Sequence, residues 1–192
     1  MWKQNFILAT FTFLFISTIG IKAQSKSHVV TDIHYLYGLS ETGTGLATLT
    51  RNDVNLYGKS LHFTGLYDFS KSISAGIGVG ADRYEKPGYN TFPIFATLQY
   101  FPIITFPSAY AYTNLGTAIK GSDAHSGLMF DAGLGYRKML KKHFGLNFQL
   151  GYNLKHINDT PNYILAEDNQ SYERISVTSV RHSISLGVGV IF

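Results

Sequence analysis

Ile184-Ser185-Leu186-Gly187-Val188-Gly189-Val190-Ile191-Phe192 is the stretch that decides the fold. Ile184, Leu186, Val188, Val190 and Phe192 occupy alternate positions, with Ser185, Gly187, Gly189 and Ile191 between them. Successive side chains on a strand point to opposite faces, so one face of this segment is greasy and the other small. His143 to Lys155 repeats the scheme. Phe144, Leu146, Phe148, Leu150, Tyr152 and Leu154 share one side; Gly145, Asn147, Gln149, Gly151, Asn153 and Lys155 share the other. The alternation alone does not say which face is outside, because water and lipid make opposite demands.

Followed outward, the same period of two marks eight strands, near residues 28–39, 60–69, 73–84, 92–101, 108–119, 127–138, 143–156 and 179–192. No helical period competes with it. Several runs are about as long as the 9–11 residues a tilted strand needs to cross a bilayer. Their connections alternate in length. Ser70 to Ser72, Pro102 to Pro107 and Met139 to Lys142 are short, whereas Ser40 to Lys59, Glu85 to Thr91, Lys120 to Ser126 and Ile157 to Val177 are long. Such sorting predicts an all-β, eight-stranded antiparallel up-and-down transmembrane barrel, not a sandwich or a lipocalin-like barrel. Whether Ser40 to Lys59 adds strands stays open at this level.

Aromatic placement is a second, independent indicator. On the assigned strands Tyr67, Phe69, Tyr100, Tyr136, Phe144 and Phe192 lie on one face at the short-turn end. Tyr35, Tyr37 and Tyr152 mark the other end. Rings with polar tips favour the headgroup zone, so these are two interfacial girdles. The opposite face collects Asp32, His34, His62, Asp68, Asp82, Asn114, Asp131, Asn147, Gln149 and Asn153. Facing lipid, its charges would each cost a few kcal/mol, so this set is expected as a polar network in the lumen. Gly76, Gly78, Gly80, Gly133, Gly135, Gly187 and Gly189 share that face and leave room for Phe95, Tyr110 and Tyr112, which predicts a filled lumen.

Composition sets the outer limits. Of 192 residues 45% are hydrophobic, 15% aromatic and 15% charged, a balance that excludes a disordered chain. With no Cys there is no disulfide scaffold, thiolate zinc site, cysteine nucleophile or lipid anchor on cysteine. Met1-Trp2-Lys3, the apolar run Phe6 to Gly20 and Ile21-Lys22-Ala23-Gln24 have the layout of a signal peptide. Residues 1–23 are therefore expected to be removed by a cut between Ala23 and Gln24, leaving 24–192 as the barrel domain outside the cytoplasm. A membrane anchor would need about 20 apolar residues, more than this run supplies. The cut takes Lys3 and Lys22 and no acid, so 16 basic and 12 acidic residues become 14 and 12 and the net charge falls from +4 to +2. Such near balance argues against nucleic acid as a partner.

Leu61 to Asp82 (LHFTGLYDFSKSISAGIGVGAD), Asn90 to Tyr100 (NTFPIFATLQY), the endings Leu134-Gly135-Tyr136 and Leu150-Gly151-Tyr152, and Phe192 together resemble the outer-membrane protein β-barrel domain family, the small OmpA/OmpX-like barrels. The resemblance covers essentially all of residues 24–192. It implies a cell outer-membrane location among outer-membrane lipid and lipopolysaccharide. It also implies that the barrel-assembly machinery reads Phe192. It carries over no catalytic residue.

Motifs for chemistry are sparse. Gly76-x-Gly78-x-Gly80 lacks the helix a phosphate loop needs and reads as strand packing. The seven histidines show no metal-ligand spacing, so no metal and no cofactor is expected. Asp32 shares a face with His34, and His62 with Thr64 and Asp68, which permits buried acid–histidine pairs; a structural hydrogen-bond network is the simpler account. For a lipid-modifying hydrolase or acyltransferase the candidates are His182 beside Ser183 and His125 beside Ser126. Strand neighbours face opposite ways, which disfavours the first pair. Lys155 and Arg181 stand on adjacent strands, facing inward, each eleven residues from its own basal aromatic residue (Phe144 and Phe192). They form a candidate anion-binding pair at the outer rim, unless Asp159, Glu167, Asp168 or Glu173 of the last loop neutralises them. The expected protein is a non-enzymatic monomer with a filled lumen, serving envelope structure or loop-mediated adhesion. A lipid-modifying enzyme and a narrow pore are the competing readings.

Overall fold

The computed structural model describes residues 26–43, 48–86, 88–102, 108–120, 126–165 and 172–192. Eight long strands follow in order: β1 Ser27–Gly43, β2 Tyr57–Asp68, β3 Ile73–Glu85, β4 Tyr89–Tyr100, β5 Ala109–Lys120, β6 Ser126–Lys141, β7 Phe144–Leu165 and β8 Tyr172–Ile191. Each pairs antiparallel with its neighbour in sequence. β8 returns to β1, from Val30↔Ile191 to Gly43↔Ser179, and closes the sheet. Closure matters because a strand edge in hydrocarbon would leave backbone groups without partners.

Paired residues followed around the wall run from Val30 through Thr64, Gly78, Phe95, Gly116, Met129, Lys155 and Arg181. Arg181 pairs with Glu41, so one circuit climbs from residue 30 to residue 41. A stagger of that size goes with strands tilted roughly 35–45° to the barrel axis. One residue of the climb is a bulge between Gly38 and Ser40 in β1.

The two faces of the wall are sorted as the alternation requires. Ile77 is 75% exposed, Leu134 68% and Ile33 65%, with Leu61, Ile94, Leu115, Leu150, Leu186 and Val188 also outside. A water-soluble barrel would bury these side chains; a continuous apolar exterior is what a transmembrane barrel presents to lipid. Tyr67, Phe69, Tyr100, Tyr136 and Phe192 are exposed at the basal end, where Tyr67 and Phe69 stack edge to face at 5.0 Å and Phe144 meets Phe192 at 5.9 Å. Tyr35, Tyr37 and Tyr152 are exposed nearer the distal end. Both girdles stand where the sequence places them.

The distal connections differ from expectation. β3 runs to Glu85 and β4 resumes at Tyr89, so the supposedly long Glu85 to Thr91 loop is a tight turn with Lys86 at φ 57°. Pairing continues because Tyr84 and Tyr89 face each other and stack inside at 5.0 Å, while the outward residues there are charged or polar and hide the period. Likewise β7 and β8 pair as far as Leu165↔Tyr172, so much of Ile157 to Val177 is a hairpin and not a loop. Ser40 to Lys59 supplies the end of β1 to Gly43, the start of β2 from Tyr57 and, between them, one short extra strand, Leu49–Thr50 against Ser40 and Glu41. Strand extension and the girdles, more than loop length, distinguish the two ends. The proposed signal segment, residues 1–23 with Ala23, and Gln24 lie outside the described residues.

Candidate functional site

Any chemistry this chain performs inside the barrel must use the residues that line it. Three glycines make the lumen habitable for rings. A Cβ on Gly78 would collide with Phe95, one on Gly135 with Tyr110, and one on Gly151 with the Tyr112 hydroxyl. Phe95, Tyr110 and Tyr112 are accordingly buried, as expected.

Polar side chains fill the space around these rings in layers. At the basal mouth His28 Nε2 lies 2.6 Å from Asp68 Oδ2, Ser74 donates to the same carboxylate, and Arg137 stacks on the Phe101 ring at 4.2 Å. Above it, the Tyr110 hydroxyl donates to Asn147 Oδ1 at 2.6 Å and accepts from Gln149 Nε2 at 3.0 Å. Asn147 Nδ2 in turn donates to Asp32 Oδ1 at 2.8 Å. In the next layer Asp82 receives Lys155 at 2.8 Å, His62 at 3.0 Å and the Thr91 hydroxyl at 3.2 Å. Asn153 bridges Asp131 and the Tyr84 hydroxyl. At the distal mouth Arg181 donates to Glu41 Oε2 at 3.0 Å and to the carbonyls of Tyr57 and Glu85 at 3.1 and 3.2 Å. Its guanidinium also faces the Tyr84 ring, 5.0 Å away.

Asp32, His34, His62, Asp131 and Asn147 are all buried, and Asp68 and Gln149 partly so. The acid–histidine pairings differ from those the sequence offered. His62 meets Asp82 and not Asp68; Asp68 takes His28. His34 bonds to Ser185 at 3.0 Å and its ring lies tilted against that of His62, centroids 5.0 Å apart, leaving Asp32 to Asn147. Same-face spacing along one strand could not reveal these partners, because they come from other strands: His62–Asp82, His28–Asp68 and His34–Ser185 join neighbouring strands, and Asp32–Asn147 reaches past one.

Lys155 and Arg181 are direct neighbours in the β7–β8 register, as their sequence positions suggested. Both are fully buried, however, and each is matched by a carboxylate of the wall. This differs from an open rim awaiting an anion. The loop acids weighed as partners have side chains outside the described residues. Glu41 was missed because it breaks the parity of β1. Val30, Asp32, His34 and Leu36 face inward on even numbers, and the bulge between Gly38 and Ser40 then turns odd-numbered Glu41 inward.

The packed interior leaves little room. A cavity of about 10 Å³ lies among Asp32, His34, His62, Phe95 and Gln149, space for a single water at most. Among the described residues no group of three or more His, Asp or Glu side chains is placed to hold a metal ion. His182 bonds to outward-facing Tyr152, while Ser183 is buried on the lumen side, so these two do not form a nucleophile–base pair. His125 and the Ser126 side chain lie outside the described residues.

Neither protein-family models nor curated proteins match the chain. Among solved structures it is similar to Neisserial surface protein A, at 16% identity and a TM-score of 0.51 over 86% of this chain and 95% of that one. The attachment invasion locus protein Ail of Yersinia pestis follows at 15% identity, TM-score 0.47, over 87% and 99%. OprG from Pseudomonas aeruginosa stands at 14%, TM-score 0.43, over 86% and 94%. The fold is that of a small outer-membrane barrel. At this identity the likeness extends to fold alone.

Proposed function

We propose that this chain is a small, non-enzymatic integral protein of a bacterial outer membrane, whose filled barrel serves the envelope and carries the β7–β8 hairpin as a binding or adhesion element. The observation that carries this reading is the interior, bridged by fully buried Lys155–Asp82 and Arg181–Glu41 pairs inside an apolar exterior. A lumen closed by ion pairs suits a rigid wall better than a pore. The hairpin supports the second half, since β7 and β8 stay paired beyond the last β1–β8 contact at Gly43↔Ser179.

Export would begin with the cut between Ala23 and Gln24, so N-terminal sequencing of the membrane-fractionated protein should start at Gln24. Phe192, exposed at the basal end, is the residue offered to the barrel-assembly machinery; its removal should lower the amount of assembled barrel. The function itself is tested in a strain lacking the chain. Detergent sensitivity restored both by the full chain and by a version with residues 159–177 replaced by a short turn identifies the barrel as the working part. Restoration by the full chain alone identifies the hairpin. If neither version changes sensitivity or surface attachment, the proposal is wrong.

A further inference from the structure

Lysine and arginine on the outside of a membrane barrel are tolerated only near the interfaces, so their position there is informative. Lys59 and Arg83 both point outward and are direct partners across β2 and β3. Directly opposed residues place their Cβ atoms about 4.5–5.5 Å apart, where like charges repel. The same row contains Tyr35 on β1 and Asn90 on β4. One position towards the base the row is Ile33, Leu61 and Ala81; one position towards the distal end it is Tyr37, Tyr57 and Glu85. Arg51 completes the group, its guanidinium 3.7 Å from the centre of the Tyr37 ring. Lys86, exposed in the β3–β4 turn next to Glu85, is the other distal Lys or Arg with a described, exposed side chain.

Local acids offset only part of this charge, since Glu85 pairs with Arg83 while Arg51 and Lys59 have no salt bridge among the described residues. Glu85 accepts from Arg83 Nε at 2.9 Å, and Asn90 accepts from its Nη1 at 3.2 Å. Asp53 is turned to Thr50, whose backbone N and hydroxyl donate to it at 2.8 and 2.7 Å.

We propose that Arg51, Lys59 and Arg83, framed by Tyr35 and Tyr37, bind the phosphate of an outer-leaflet glycolipid headgroup. The site rests on the membrane reading above. Acyl chains would lie on the apolar belt that begins at Ile33 and Leu61, the tyrosines stand at headgroup depth, and the opposed cations converge on one anion. Phosphate between Lys59 and Arg83 turns their repulsion into attraction and competes with Glu85 for the guanidinium.

The test uses the purified barrel in neutral detergent with diphosphoryl lipid A as the probe, counting bound lipid by native mass spectrometry. Lys59→Ala should weaken retention about fivefold and Lys59→Ala with Arg83→Ala about thirtyfold. Glu85→Gln should tighten it by removing the competitor. Lys138→Ala with Lys141→Ala, at the basal end, should leave it unchanged. Retention by the double variant equal to that of the unaltered protein overturns the site, as does an equal loss in the basal control. Equal retention of phosphatidylglycerol overturns the glycolipid assignment. β-type circular dichroism in micelles accompanies every variant. A chain that needs no detergent would refute the membrane reading itself, whereas a folded barrel with no phosphate preference refutes only this site.

Discussion

At the scale of single residues, the interior is governed by the cost of leaving a charge alone. Arg181 and Lys155 have no exposure, so their charges are compensated by the wall carboxylates Glu41 and Asp82 and not by water. Removing one member of a buried pair typically costs about 3–5 kcal/mol, because the remaining charge is left without a partner. Arg181→Met should therefore lower the stability of the micelle-folded barrel by that amount in urea unfolding. Glu41→Leu with Arg181→Met should cost distinctly less, since no charge is then stranded. Steric limits are as strict. Gly135→Ala drives a methyl group into the Tyr110 ring and should cost about 1–3 kcal/mol in the same assay. An unchanged midpoint there would mean that the ring has somewhere else to go.

At the scale of strands, the bulge in β1 does a job no single side chain could do. It reverses parity between Gly38 and Ser40 and so brings Glu41 to Arg181. Deleting Ser40 removes the extra residue, so Gly38, Leu39 and Glu41 alternate regularly and Glu41 still faces Arg181; the barrel should keep most of the stability that Arg181→Met loses, read by the same unfolding curve. The outer face obeys a different rule. Leu134 is 68% exposed in the apolar belt, and Leu134→Arg should cost roughly 2–4 kcal/mol when the barrel is folded into lipid vesicles. A substitution there that costs nothing would contradict a lipid-facing position. The eight strands were legible in the sequence because apolar residues recur every second position along the lipid-facing stretch. The extension of β3 and β4 was not, for there the outward positions turn polar, with Arg83, Glu85 and Asn90, while Tyr84 and Tyr89 stack inside, so the apolar period no longer marks an outer face.

At the scale of the whole molecule, closure and filling decide what the barrel can transmit. Four layers of bonded side chains cross the lumen, so planar bilayers containing the purified protein should show little or no ion conductance. A steady open-channel current would overturn the filled-lumen account. The sequence alone determined which residues face lipid and which face inward along the regular strands, up to the bulge that turns Glu41 inward, because a strand's two-residue period is a local property that needs no partner. It also determined that the lumen is full, since glycines and large rings share the inner face. Only the tertiary structure decided which acid meets which base. Glu41 and Arg181 are 140 positions apart, and the chain must close its circuit, with the stagger and bulge that closure imposes, before they share a height. The pairing of His62 with Asp82 and the opposition of Lys59 and Arg83 come from register in the same way. Periodicity fixes the face of a residue; the shear of the closed sheet fixes its neighbours.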